Sequence, residues 1–180
     1  MKTYEQACTT SSDIYLHLPA LYGYAIESSK VVEIGLGTTS NAIRAFLKGC
    51  KDVTSIDIDP MPNVVKDVQE YADHLGCKWE FIVGDSIQTD IPECDFLFVD
   101  GKHSYYTVIK ELFTHHTKVN KYIGFHDVVS YASRNESPEE TGSNFIEGIV
   151  PAIFMFLEQH PEWKVDYYSP YCNGLLILAK

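Results

Sequence analysis

Short apolar runs rich in β-branched and aromatic residues alternate with helical patterns along most of the chain, and this alternation limits the possible folds more than any other feature. "KVVEIGL", "VTSIDI", "KWEFIVG", "CDFLFVD" and "YIGFHD" read as strands, while "TSNAIRAFLKG", "NVVKDVQEYADHLG" and "SYYTVIKELFTHH" read as helices. A β-then-α rhythm predicts a parallel sheet. The run Phe96, Leu97, Phe98 and Val99 has no polar face, as expected of a strand covered by helices on both sides. At the end, "WKVDYYSPYCNGLLILA" gives two strand-like runs joined by a turn around Ser169 to Asn173. It predicts a hairpin whose last strand is antiparallel to the rest.

Two stretches depart from the rhythm. "SSDIYLHLPALYGYAIESS" reads as one or two amphipathic helices, with Ser12 or Asp13 as cap and Pro19 in the first turn of the second. "SYASRNESPEETGSN" is polar and turn-rich, so it is expected to be a mobile loop before the helix "FIEGIVPAIFMFLEQH", which Pro151 would kink or split. At 180 residues the chain suits one domain. Its 25 acidic and 14 basic side chains give a net charge of -11, which argues against nucleic acid or anionic lipid and for a small-molecule partner. Five cysteines without a CxxC pair are expected to be packing residues in a reducing cytoplasm. No apolar segment reaches the ~18 to 20 residues of a membrane span.

Open α/β sheets bind ligands beyond the carboxyl ends of their strands. Those positions hold Glu33 with Gly35 and Gly37, then Asp57, then Gly84, Asp85 and Ser86, then Asp100, then His126 and Asp127. Turn preferences explain any one of them alone, but not all five together. The turn "GLGTTS" lacks a third glycine: a dinucleotide loop would want it at Ser40 and a methyl-donor loop at Thr39. Asp57 follows Glu33 by 57 minus 33, or 24 residues, near the spacing of an acid that binds a ribose diol, and it precedes its rival Asp59 at the strand end. A charged Glu33 would oppose a pyrophosphate and welcome an ammonium group, which S-adenosylmethionine carries. Thr38, Thr39, Ser40 and Asn41 are expected to cap the next helix.

In order, "VVEIGLGTTS", "SIDID", "VGDS", "FLFVDGKHSY" and "GFHDV" resemble the class I S-adenosylmethionine-dependent methyltransferases, in the branch marked by D-G-x-H-S-Y and H-D. The resemblance spans nearly the whole chain and is loosest over 128–145. It implies a Rossmann-like, doubly wound, mostly parallel seven-stranded sheet with helices on both faces. Residues 1–29 would be a helical cover, 30–127 the cofactor-binding core, 128–145 a substrate-side loop, and 146–180 the last helix and hairpin. It also implies that Glu33 lies near the methionine amine and that Gly35 and Gly37 allow close backbone approach. Thr39 and Ser40 would continue that loop, and Asp57 would hold the ribose with Ile58 beside the adenine. Asp85, with Ser86 following it in the cofactor-binding set, would lie near the adenine amino group, and Asp100 would face the methionine moiety and the transferring methyl.

At the reacting end, His103 is the first candidate base, expected to be largely neutral at pH 7; the alternative is that it orients its loop. His126 and Asp127 either touch substrate or fix their turn. Asp100 and Asp127 occupy places comparable to the metal ligands of catechol O-methyltransferase and its relatives, so Mg2+ or another divalent cation is a candidate, with His126 standing where an acid is wanted. Tyr131 is expected on the substrate side. His115 and His116 are expected on a solvated helix surface. The favoured reading is O-methylation of a small molecule. Alternatives are a metal-dependent hydroxylase, a catalytically idle cofactor-binding protein, and an NAD-dependent oxidoreductase. Apolar residues in the first helices would serve a homodimer interface or a lid.

Overall fold

The computed structural model describes residues 1–137 and 146–180. Seven strands form one sheet: β1 (Val31–Ile34), β2 (Asp52–Asp57), β3 (Lys78–Val83), β4 (Cys94–Val99), β5 (Val119–His126), β6 (Lys164–Ser169) and β7 (Leu175–Ala179). Their order is β3-β2-β1-β4-β5-β7-β6. The first five run parallel, β7 is antiparallel to β5, and β6 is antiparallel to β7. The predicted hairpin is therefore present. Its turn uses left-handed backbone at Cys172, Asn173 and Gly174.

Side-chain alternation along the strands divides the core in two. Val31, Val53, Phe96 and Phe98 face helices α1 (Tyr4–Thr9), α2 (Leu18–Ile26), α3 (Ala42–Gly49) and α4 (Pro62–Leu75). Val32, Ile34, Leu97, Val99 and Phe125 face α5 (Tyr105–His115) and α6 (Ile149–Gln159). Every residue of β4 is buried, as its unbroken apolar run requires. The strand order reverses between β1 and β4, and the cavities at the sheet's carboxyl edge lie beside the loops that follow these two strands.

Several local expectations change. Residues 15–17 form a 3-10 turn and only 18–26 form an α-helix, with Pro19 in its first turn. That helix buries Leu18, Leu21 and Ala25 in the core beside α3, so it is a layer of the fold, and only Asp13 and Ile14 reach those cavities. Ahead of it, α1 begins at a capping box between Thr3 and Gln6. Pro151 neither kinks nor splits α6, because the helix begins at Ile149 and its first turn needs no proline N–H. The loop expected over 128–145 lies outside the described residues from 138 onward. No helix among the described residues is long and apolar enough to cross a membrane.

Candidate active site

Backbone hydrogen bonds carry the sheet past its strand ends and lock the site loops together. Gly35 N donates to Ile56 O (2.8 Å), Asp100 N to Ile34 O (2.8 Å) and Gly84 N to Asp57 O (2.9 Å). Gly35 has φ +88, and a Cβ there would lie 2.1 Å from the Asp100 carbonyl oxygen, so only glycine lets the two loops meet. Gly37, at φ +62, faces open space.

Two cavities adjoin at this point. The larger, about 490 Å³, runs past Gly35 and Gly37 to Asp57 and Ile58 on one wall and to Asp85, Ser86 and Ile87 on another. The smaller, about 210 Å³, is bounded by Asp13, Thr39, Asp100, His103 and Asp127. Gly35, Gly37 and Asp100 border both. Together they make an elongated slot suited to a long ligand with a flat end.

Along the larger cavity Asp85 is fixed by its own loop, and Asp57 by its own loop and the loop after β1. Asp57 accepts from Gly37 N (3.2 Å) and Asp59 N (3.0 Å). Asp59 itself accepts from Met61 N (3.2 Å) and lines neither cavity, whereas Asp57 lines the larger one. Asp85 accepts from Ile87 N (2.9 Å) and Gln88 Nε2 (2.8 Å). Ile58 is 76% exposed at the cavity wall, an apolar surface open to a planar ligand.

Glu33 departs most from its expected role. It is fully buried on the α3 side of β1 and borders neither cavity. Its Oε2 accepts from Ser55 Oγ (2.7 Å), which in turn accepts from Trp79 Nε1 (3.1 Å). Burial pushes its pKa up to about 8; Asp100 and Asp57 add to the rise, while the Ser55 hydrogen bond and Arg44 oppose it. At neutral pH the acid is mostly protonated, so the argument that its charge repels a pyrophosphate loses its force.

The loop after β1 also differs in detail. Helix α3 begins behind Asn41 with no side-chain cap, contrary to the expectation for Thr38 to Asn41. Ser40 sits at φ +46, the left-handed conformation for which a dinucleotide loop would use glycine. Its hydroxyl accepts from Arg44 Nη2 (3.2 Å), and its carbonyl accepts from Arg44 Nε (3.2 Å). Buried Arg44 also pairs with Asp67 at 2.5 Å. Thr39 lines the smaller cavity, whereas Ser40 does not.

At the far end, side chains from separate segments bond one another. His126 Nδ1 lies 3.1 Å from Asp100 Oδ1 and 3.2 Å from Asp127 Oδ2. Its Nε2 meets the carbonyl oxygens of Asp13 (3.2 Å) and Cys172 (3.0 Å). Carbonyls only accept, so Nε2 carries a proton; facing carboxylates, Nδ1 carries one as well. Burial opposes this charge, but the hydrogen bonds and charges of Asp100 and Asp127 prevail and raise the pKa to about 11. Both ring nitrogens of His126 are thus engaged by carboxylates and backbone carbonyls, a setting that favours the imidazolium and fits the turn-fixing role better than a substrate contact. Asp127 has φ +60 and one buried oxygen, Oδ1, without a partner.

His103 Nε2 lies 3.4 Å from Asp100 Oδ1 and 3.3 Å from Asp127 Oδ2, and Nδ1 lies 3.3 Å from Glu136 Oε2. Burial works to lower its pKa, but Asp100, Asp127 and Glu136 raise it above the usual value, so it is more protonated at pH 7 than expected. Asp100 is held below the usual carboxylate range: burial would raise it, and hydrogen bonds from His103 and His126 overcome that. Tyr131 stacks on His103 with ring centroids 5.0 Å apart and borders neither cavity. Glu136 had no signal in the sequence beyond its place in a polar loop. His115, expected on the surface, is buried and meets Ser86 O at 2.8 Å through Nε2.

Asp100, His103 and Asp127 each bring one metal-ligating atom to within 4.8 Å of the others, so the two expected ligands do come together. Yet the His126 N–H already points at an oxygen of each carboxylate. A hard divalent cation would meet a fixed positive charge there, and the donor set fits it poorly.

A doubly wound sheet with a slot at its switch point, rimmed by glycines and strand-end acids, belongs to the nucleotide- and cofactor-binding α/β class. Residues 32–128 match the model of a methyltransferase-domain family, Methyltransf_24, and the chain belongs to that family. No curated protein matches the sequence. Solved structures share the fold at low identity. An O-methyltransferase from Bacillus cereus in complex with SAH is 16% identical, with 91% of this chain and 80% of that one covered and a TM-score of 0.64. The N-methyltransferase NodS from Bradyrhizobium japonicum WM9 in complex with S-adenosylhomocysteine is 11% identical, with 98% and 94% covered and a TM-score of 0.63. M. capricolum TrmK, also with S-adenosylhomocysteine, is 14% identical, with 91% and 67% covered and a TM-score of 0.59.

Proposed function

We propose that the slot binds S-adenosylmethionine and that the protein methylates a hydroxyl group of a small molecule. The adjoining of the two cavities at Gly35, Gly37 and Asp100 carries this reading, because it sets a nucleoside-sized chamber beside one that holds a histidine. In this arrangement Asp57 holds the ribose, Ile58 covers one face of the adenine, Asp85 and Ser86 meet its edge, and Gly37 admits the chain of the ligand. Thr39 and Asp100 border the methionine end. The bound group supplies an electrophilic methyl on a sulfonium.

His103 takes the acceptor's proton. Glu136 faces Nδ1 while Asp100 and Asp127 face Nε2, so all three favour the protonated ring, and His103 acts as the base in the form that has lost one of its two protons. Asp100 and Asp127 orient the ring, and His126 balances their charge from inside the protein. The reaction therefore needs no metal. A net charge of -11 favours a small, neutral or cationic acceptor over nucleic acid.

Thermal denaturation with S-adenosylhomocysteine or NADH tests the cofactor. The former should raise the Tm by mass action and the latter should not; a shift with NADH alone overturns the reading. Incubation with labelled S-adenosylmethionine and a panel of hydroxylated metabolites, with Mg2+ or with EDTA, tests the reaction. Methylated hydroxyls formed equally under both conditions are the expected result. Product formed only with Mg2+ overturns metal independence, and an amine as the sole acceptor overturns O-methylation.

A further inference from the structure

Behind the larger cavity, two side chains one turn apart on α5 grip a single residue of its wall. Glu111 Oε1 accepts from the Ser86 hydroxyl at 2.5 Å, and His115 Nε2 donates to the Ser86 carbonyl at 2.8 Å. Both side chains are 1% exposed. His115 Nδ1 and Glu111 Oε2 are buried and without partners, which assigns the neutral Nε2–H tautomer to His115 and leaves Ser86 as the hydrogen-bonding contact of Glu111. A buried carboxyl with one oxygen unsatisfied costs stability, and packing alone does not call for it. Glu111 belongs to no strand-end motif, and the packing of α5 beneath the loop after β3 brings it to Ser86, 25 residues earlier in the chain.

A serine hydroxyl has one proton and two lone pairs. With its proton directed at Glu111, Ser86 can present only lone pairs to the cavity it lines. We infer that Glu111 and His115 are positioning residues that turn Ser86 into a fixed hydrogen-bond acceptor, so that the cavity selects a purine bearing an amino group over one bearing a keto oxygen at the same place. This rests on the S-adenosylmethionine reading and deepens it. An adenine amino group donates to such an oxygen, whereas the carbonyl of hypoxanthine would face it lone pair to lone pair. Ionised Glu111 is required: burial raises its pKa to about 7, the nearby Asp85 charge adds to this, and the Ser86 hydrogen bond and His103 oppose it.

Calorimetry at about pH 8.5, where Glu111 is ionised, with S-adenosylhomocysteine and its deaminated counterpart S-inosylhomocysteine, tests the inference. Wild type should bind the adenosyl compound about 10-fold to 100-fold more tightly. Glu111→Leu frees the hydroxyl to donate or accept and should bring the ratio close to one while the protein stays folded, since it removes an unsatisfied buried carboxyl. Ser86→Ala should weaken only the adenosyl compound. Wild type that binds both compounds equally, or Glu111→Leu that keeps the full ratio, overturns the inference while the cofactor reading stands. Wild type that binds neither overturns both.

Discussion

The two ends of the slot are built in opposite ways. At the end lined by Asp57 and Asp85, the acids accept mainly from groups two or three residues along their own loops, with one further bond to Asp57 from Gly37 N of the loop after β1. At the reacting end, Asp100 and His103 follow β4, His126 ends β5, and Asp127 and Glu136 follow it; these side chains bond one another, with carbonyls of Asp13 and Cys172 closing the set. Removing one residue at the first end should weaken one contact. Removing one at the second changes the charge state of its neighbours, because buried charges are balanced only by each other.

That contrast yields predictions of decreasing size. His103→Ala should lower kcat by about 10²-fold to 10⁴-fold, the usual worth of a general base, with little change in affinity for S-adenosylhomocysteine. Steady-state kinetics with calorimetry check this, and an unchanged kcat removes the base assignment. His126→Gln should destabilise the fold by roughly 3 kcal/mol at pH 7, since it leaves two carboxylates facing each other across a buried gap. The sign with pH follows from the raised pKa. The stabilisation is complete below the unfolded value near 6.5 and is lost as pH climbs toward about 11, so wild type and variant should converge there in urea titrations. Asp57→Ala should weaken S-adenosylhomocysteine by about 10-fold, the worth of one charge-assisted contact, and leave kcat nearly intact at saturation.

The acid limb of the pH–rate profile should lie above 6.5, because His103 is raised by its carboxylate neighbours and acts only when neutral. Glu136→Gln should move that limb downward by less than about one unit, the effect of one half-exposed charge. The smallest effect separates the two roles open to Glu33. Glu33→Gln should leave the affinity for S-adenosylhomocysteine within about 2-fold. It should also gain stability relative to wild type as pH rises from about 4.5 through 8, the window in which the buried wild-type acid resists ionising. A tenfold loss of affinity would return Glu33 to the cofactor.

Most of the fold was legible in the sequence, since a strand covered on both faces must be apolar throughout and an amphipathic helix must repeat near 3.6 residues. β4 and α5 follow those rules directly. Pro151 was misread because a helix start is set by the turn before it: the apolar pattern begins at Phe145, but the helix begins only after Gly148, which puts Pro151 in its first turn. That Gly35, Gly37, Asp57 and Asp85 would share one edge of the sheet was also legible, since their places at the strand ends are set by spacing, and all four line the larger cavity. Glu33 was not, because the same strand-end position can face the slot or the α3 layer, and the register of β1 against β2 places it beside Ser55.

By itself, then, the sequence determined the order of strands and helices, the glycines that let β1 and β4 loops touch, and the acids carried to one edge of the sheet. Only the tertiary structure decided which of those acids are charged. Protonation depends on burial and on partners within a few ångströms, and those partners for His126, Glu33 and Glu111 arrive from segments far apart in the chain.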